Sequence, residues 1–358
     1  MRLASLTSFA VFILCLSAAF ISCGRPNERT EAAPSVQTQS TSLGDTVNNL
    51  SKNIDCIFQD QQGNHWFASN GGGVYRYNGK VLVNYTTRDG LVSNYVWTIQ
   101  QDVHGIMWFS TRDGFSSFDG KTFTNRTFAI ENAFTGNFKP HATGLLFPHK
   151  KGGCYYNGKS FINFTIHPAS YTLPPNEASG PYFVYSTLID RSGVAWFGTQ
   201  SEGVCRYDGE TISYLSDKDL AGPAVRTIYQ DKRGLLWFGN NGGGLFRYDG
   251  KQLSNITADK NLGNMKFLRE KKPVDMPGSL ARVWAINEDN AGKLLIGTID
   301  SGLWTFDGTT LSNLTTSDGL PGNSIWVIYK DRDGKMWMVT NGETVCQYDG
   351  KKFVKVEF

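Results

Sequence analysis

Val225-Arg226-Thr227-Ile228-Tyr229-Gln230-Asp231, Gly234-Leu235-Leu236-Trp237-Phe238-Gly239 and Gly243-Gly244-Leu245-Phe246-Arg247-Tyr248-Asp249-Gly250 are three parts of one phrase that returns along the chain. Anchored on its Trp, the phrase is centred on Trp66, Trp108, a degenerate position at Leu146, Trp196, Trp237, Leu295 and Trp337. A second anchor keeps the same register, in the pairs Asn78-Gly79, Asp119-Gly120, Asn157-Gly158, Asp208-Gly209, Asp249-Gly250, Asp307-Gly308 and Asp349-Gly350. Inside one phrase the apolar run Val225–Tyr229 leads through a tight turn to Leu235–Gly239, and a Gly-rich loop leads to Gly244–Tyr248. Asp249-Gly250 is a two-residue hairpin turn, because both residues tolerate positive φ, and a fourth run follows from Lys251. A unit of about 42 residues made of four short strands cannot bury both faces alone, so its neighbours must stack on it. The spacing predicts an all-β chain: a seven-bladed β-propeller of four-stranded antiparallel blades over residues 53–358.

Strand parity then assigns the loops. If the first strand of each unit is innermost, the Asp-x-x-Gly and Asp-Gly turns share a lower face, and the Gly-rich loops and blade-to-blade crossings share an upper face. Two crossings are long, about 166–182 and 258–282, and the second tilts the rim basic with Lys260, Lys266, Arg269, Lys271, Lys272 and Arg282. Long loops on a rigid scaffold are also where binding residues collect.

The first residues carry Arg2, an apolar run Phe9–Phe20, and Ile21-Ser22 before Cys23, the pattern of a secretory signal over residues 1–22. The run is too short to span a bilayer. Cys23 after a small residue resembles the bacterial lipoprotein box, which implies cleavage before Cys23 and its acylation. Residues 23–52 are then a lipidated Cys and a disordered polar tether with scarcely an aromatic residue. Gly24 in place of Asp after the Cys favours the outer membrane.

A net charge of +3 over 358 residues, with Lys and Arg scattered among nearly as many Asp and Glu, excludes the concentrated basic stripe of a nucleic-acid binder. Cys154, Cys205 and Cys346 stand three residues before the hairpin turn, where other units carry Tyr75, Phe246 and Trp304. Equivalent slots in different blades are too far apart for a disulfide, so buried free thiols are expected. The third unit, 130–165, lacks the Asp-x-x-Gly turn and the Trp, and holds His141 and His149 with His167 just beyond. Their spacing is not that of a metal site, so neither metal nor cofactor is expected. Asp331-Arg332-Asp333-Gly334 starts like a calcium loop, but Gly342 stands where the Glu ligand belongs, and it reads as a turn.

Positions identical in every unit serve the architecture, and upper-face positions that vary are candidates for recognition. The anchor Trp residues therefore read as packing. Eleven residues before each anchor, near the top of the inner strand, stand Asp55, Trp97, Tyr185, Arg226, Trp284 and Trp326. Aromatic faces stack on apolar sugar faces and charges orient polar groups, as a ligand mouth requires. The Gly-rich loops add Arg112 and Asn241, with Asn70, Asp113, Gln200, Glu202, Asp300 and Asn341 around them.

Ile189-Asp190-Arg191-Ser192-Gly193-Val194-Ala195-Trp196-Phe197-Gly198-Thr199 followed by Gly203-Val204-Cys205-Arg206-Tyr207-Asp208-Gly209 resembles the two-component regulator propeller repeat. So does Asp-Gly-Leu at Asp89-Gly90-Leu91 and Asp318-Gly319-Leu320. The resemblance covers about residues 53–358. It implies the propeller fold and a bias toward extracytoplasmic ligand binding, since that family supplies sensor regions of hybrid histidine kinases whose tandem propellers resemble receptors for glycan fragments. Here one propeller stands where those sensors typically have two, and no kinase or DNA-binding region is read after Phe358, so signalling by this chain alone is not expected. The leading expectation is a non-catalytic, lipid-anchored, sensor-like propeller binding an oligosaccharide or a partner protein on its upper face. One alternative is a lyase, because streptogramin lyases are also seven-bladed propellers, with a pair such as His149 and Glu202 over the channel. The other is an assembly scaffold that binds no small molecule.

Overall fold

The Asp and the Trp of each repeat are one device. In the computed structural model, which describes residues 43–51, 53–149, 152–172, 180–217, 219–264 and 278–358, the Trp66 indole Nε1 donates to Asp60 Oδ2 at 2.7 Å. The same bond joins Trp108 to Asp102, Trp196 to Asp190, Trp237 to Asp231 and Trp337 to Asp331. The other carboxylate oxygen of Asp231 accepts from the backbone N–H groups of Arg233 and Leu235, closing the turn. These buried carboxylates stay satisfied by several donors each, which a buried charge requires. Asp331 serves in this way, so the calcium-like string is a turn.

Each repeat folds into one sheet, and there are seven sheets. Blade five is typical, with strands Val225–Gln230, Leu236–Asn240, Gly244–Tyr248 and Leu253–Asn255 in antiparallel succession. The first strands of neighbouring blades face one another around the axis, Ile54–Gln59, Val96–Gln101, Val184–Ile189, Val225–Gln230, Val283–Glu288 and Ile325–Lys330 among them. The core is a set of layers between blades. Trp237, Leu245, Val283, Ile296 and Trp304 fill the layer between blades five and six, and comparable clusters fill the other interfaces. Cys154, Cys205 and Cys346 lie buried in such layers as free thiols, each pushed up to about 12 by burial.

The crossings are capped structures. Thr86 and Asp89 form a capping box around a single 3-10 turn, Gly90 adopts φ 99°, and Leu91 is buried; Thr315, Asp318, Gly319 and Leu320 repeat the arrangement. The side-chain Nδ2 of Asn84 donates to the Gly72 and Val74 carbonyls, and that of Asn313 to the Ser301 and Leu303 carbonyls, so these recurring Asn residues brace the Gly-rich loops.

Two departures from the repeat pattern stand out. Asp45–Val47 pairs antiparallel with Leu82–Asn84 as a fifth strand outside blade one. It lies within the stretch read as a tether, whose residues before 43 fall outside the described ones together with the signal segment and Cys23. Blade three departs further. Its strands are Leu145–His149, Gly152–Tyr156 and Phe161–Thr165, with Phe134–Thr135 added parallel on the outside. Counting back from Asn157-Gly158, Leu145–His149 is the equivalent of the Trp-bearing second strand. Among the described residues no strand lies inside it. The chain that would form one runs instead into the layer between blades three and four, where Phe138 stacks on Tyr155 at 4.3 Å and packs edge-on to Phe164, both of blade three, and its backbone N–H donates to the Tyr207 hydroxyl of blade four.

Blades one and seven close the ring without exchanging a strand. Ile54 N–H donates to the Gly342 carbonyl at 2.9 Å, and Gln59 N–H to the Tyr329 hydroxyl at 2.9 Å. Phe358 crosses the seam, with its ring edge-on to Phe67 and Tyr77 at 5.3 and 5.1 Å.

Candidate functional site

In six blades the pairing of the first strand with the second slips by one residue near the top. The slips lie between Ile54 and Cys56, Val96 and Thr98, Val184 and Ser186, Val225 and Thr227, Val283 and Ala285, and Ile325 and Val327. The residues skipped are Asp55, Trp97, Tyr185, Arg226, Trp284 and Trp326, the ring that the sequence singles out. A bulge frees a residue from the ladder and re-aims its side chain, which is why such positions vary while their neighbours pack. The Gly-rich loops sit on the same face. Asn70 N–H donates to the Asn53 carbonyl, Arg112 N–H to that of Tyr95, and Asn241 N–H to that of Ala224, each tying a loop to the residue or two ahead of the first strand.

The ring is not evenly filled. The Arg226 guanidinium lies 3.9 Å from the Tyr185 ring centroid and 4.6 Å from that of Trp284. Trp284 continues to Trp326 at 5.8 Å between centroids. The Trp326 indole donates to Ser324 Oγ, and its ring lies over Gly342, whose φ of 73° and lack of a Cβ admit it. Trp97, on blade two, is 39% exposed and is the most open aromatic of the ring.

Two charged groups of the ring, Arg226 and Asp55, influence each other. Burial pushes the Asp55 carboxyl up to about 6, and the Arg226 charge works against that rise. Burial likewise lowers Arg226 from the ordinary guanidinium value, opposed by Tyr185 and Asp55. The Arg226 Nε is buried with no hydrogen-bond partner among the described residues.

Asn241 has a supporting place. Its Oδ1 accepts from Trp284 Nε1 at 3.0 Å and from Arg282 Nε at 3.2 Å, and Arg282 also pairs with Asp300 at 3.4 Å. This network sets the orientation of Trp284. Arg112 stands apart on the rim of blade two, stacked on Tyr95 at 3.8 Å and paired with Asp113. The ordering part played by Arg282 is not visible from the repeat, because Arg282 ends an insertion that has no counterpart in other blades. Of the basic loop residues, 265–277 lie outside the described ones.

The two described histidines of the blade-three cluster engage separate partners. His141 Nδ1 meets Thr143 Oγ1 at 2.9 Å, and His167 packs against Tyr171 and Tyr182, while the His149 side chain lies outside the described residues, so its pairing with Glu202 does too. Among the described residues there is no group of three His, Cys, Asp or Glu arranged to hold a metal, and no helix long and apolar enough to cross a membrane.

The two component regulator propeller profile matches residues 90–113, 219–242 and 319–342, the crossing and first two strands of blades two, five and seven. No curated protein matches the chain. Among solved structures, the extracellular domain assigned to the hybrid two component system BT4673 from B. thetaiotaomicron aligns with a TM-score of 0.58 at 19% identity, over 86% of this chain and 40% of that one. A streptogramin B lyase aligns with a TM-score of 0.58 at 14% identity, over 84% of this chain and 95% of that one. The WD40 propeller domain of Doa1 aligns at 0.55 and 10% identity, over 86% of this chain and 97% of that one. At these identities the likeness is one of fold. The chain spans 40% of the length of the BT4673 domain.

Proposed function

We propose that this chain, a propeller built of two component regulator propeller repeats, is an exported, lipid-anchored, sensor-like binding protein that takes an oligosaccharide at the mouth formed by the bulged ring. The observation that carries the reading is the Arg226 cation held between Tyr185 and Trp284, with Trp326 beyond it. Aromatic faces of this kind accept the apolar face of a sugar ring, and a guanidinium among them orients a hydroxyl or carboxylate beside it. The ring lies on bulges of a rigid scaffold, so the mouth is formed before a ligand arrives. Export and anchoring rest on Arg2, the Phe9–Phe20 run and Cys23, with the outer membrane as the destination.

Calorimetry against a panel of glycans tests the mouth. Trp97→Ala and Trp326→Ala are expected to weaken binding of the glycan that binds, and unchanged affinity in both variants removes the site. A partner protein recovered in stoichiometric complex, with no glycan bound, supports the scaffold reading instead. Loss of fatty-acid labelling in Cys23→Ser tests the anchor.

A lyase is the second reading, favoured by one observation. A carboxyl raised to about 6 that feels the charge of a buried guanidinium is a base near neutrality within reach of a charge stabiliser. Turnover of streptogramin-like cyclic esters that is lost in Asp55→Asn would establish it, and no turnover would sink it.

A further inference from the structure

The strand that blade three does not form leaves space behind. Between the first strands of blades two, four and five and the inner edge of blade three lies a cavity of about 440 Å³. That lies in the range of small-molecule sites, and liquid water at about 30 Å³ per molecule would need on the order of fifteen molecules to fill it. We propose that this cavity is a second binding site, for a small uncharged hydroxyl-rich molecule of the class of neutral sugars and polyols. It goes beyond the mouth described above and shares only Tyr185 with it.

The cavity is held open. An exposed strand edge invites another strand, but here the edge is blunted. The Leu146 carbonyl, which would pair with an inner strand, instead accepts from Gln100 Nε2 at 2.9 Å and from Thr187 Oγ1 at 3.0 Å. Those side chains come from blades two and four, on either side. Pro148, on the same edge, has no N–H to offer. An extended peptide entering as the missing strand would find one carbonyl taken and one donor absent, so the space suits a compact ligand better than a strand.

The lining states the chemistry. Among the described residues it contains Thr98, Ser186, Thr187 and Thr227 hydroxyls and the Gln100 amide, with Leu146, Leu188 and Ile228 between them, and no Asp, Glu, Lys, Arg or His. A charged ligand would lose its hydration there without gaining an ionic partner. A neutral molecule with hydroxyl edges and apolar faces meets a matching wall. One of these groups is left unengaged by the fold, for the Thr98 hydroxyl is buried with no hydrogen-bond partner among the described residues.

Thr98 and Trp97 are adjacent in sequence, and they separate the two sites. The test is ligand-observed NMR and calorimetry on the full chain with glucose, galactose, xylose, myo-inositol and maltose, and with glucuronate as a charged control. At least one neutral compound is expected to bind and glucuronate to leave it undisplaced. Thr98→Val, which keeps the shape and breaks no bond of the fold, should weaken that binding about three- to tenfold with an unchanged melting temperature, while Trp97→Ala leaves it intact. Binding of no neutral compound, meaning a cavity that holds water only, overturns the proposal. So does binding that Thr98→Val leaves untouched; if Trp97→Ala then abolishes it, the compound sits in the mouth, and the reading of the mouth survives the failure of this one.

Discussion

The guanidinium of Arg226 and the ring of Tyr185 stack at 3.9 Å across the boundary between blades four and five. Trp284 lies 4.6 Å from the same guanidinium, so one cation on blade five meets aromatic rings from blades four and six. This cluster couples the mouth to Asp55, whose carboxyl feels the same charge.

Replacing the cation therefore has an effect at a distance. In Arg226→Ala the one charge that holds the Asp55 carboxyl down is gone, and its titration, followed by carboxyl carbon NMR, should move above its native value of about 6. The lost stack should cost on the order of 1 kcal/mol of stability in urea unfolding. A carboxyl titration that stays in place would show that the two groups do not communicate.

Asp55 itself works against the fold once ionised. Its pKa rises from 3.8 to about 6 on folding. Between those values the unfolded chain releases the proton and the native chain keeps it, so stability falls as pH rises through the window and is lower above it by about 3 kcal/mol. Asp55→Asn should remove that slope. Melting temperatures measured from pH 4 to pH 7 are expected to converge at the acidic end and to favour the variant at neutrality; equal melting at pH 7 would contradict the buried setting of this carboxyl.

The turn device carries an internal control. Asp231, 1% exposed, accepts from Arg233 N–H, Leu235 N–H and the Trp237 indole. In blade six Asp289 accepts from Lys293 N–H, but Leu295 replaces the Trp. Asp231→Ala leaves a buried indole N–H unpaired and should cost about 2–4 kcal/mol, against about 1 kcal/mol for Asp289→Ala. Chemical unfolding of the two variants side by side reads the difference, and equal losses would mean that the indole bond contributes nothing.

What could be read from the chain follows the range of the interactions. Asp231 and Trp237 are six residues apart and meet within one turn, so their partnership repeats with the sequence and is legible in it. The ring positions are legible for a similar reason, as Asp55 and Trp326 keep the same offset from their anchors. That these positions are bulged is not, because a bulge is a property of pairing between two strands. Nor is the stacking of Arg226 on Tyr185, which depends on how neighbouring blades are rotated. Blade three hides its missing strand because residues before Leu145 have no repeat to compare with, and Phe138 is drawn into the blade four interface by contacts far along the chain. Asp45–Val47 reads as polar tether because a three-residue outer strand needs backbone pairing and no apolar pattern.

Ring closure supplies the last prediction. Where blades one and seven meet there is no shared strand, and the backbone bond from Ile54 to Gly342 and the bond from the Gln59 backbone N–H to the Tyr329 hydroxyl span the seam. Phe358 adds an aromatic contact to blade one through Phe67 and Tyr77, and Val356 packs beside it. Removing the half-buried ring in Phe358→Ala deletes contacts that join the last blade to the first, at a cost of about 2 kcal/mol. Because the ring ties one edge only, the loss should be local at first: hydrogen exchange is expected to speed up in Ile54–Gln59 and Ile325–Lys330 while Val225–Gln230, across the propeller, stays protected. Uniformly faster exchange in all blades would mean that the ring opens as a whole and that the seam is not its weak point.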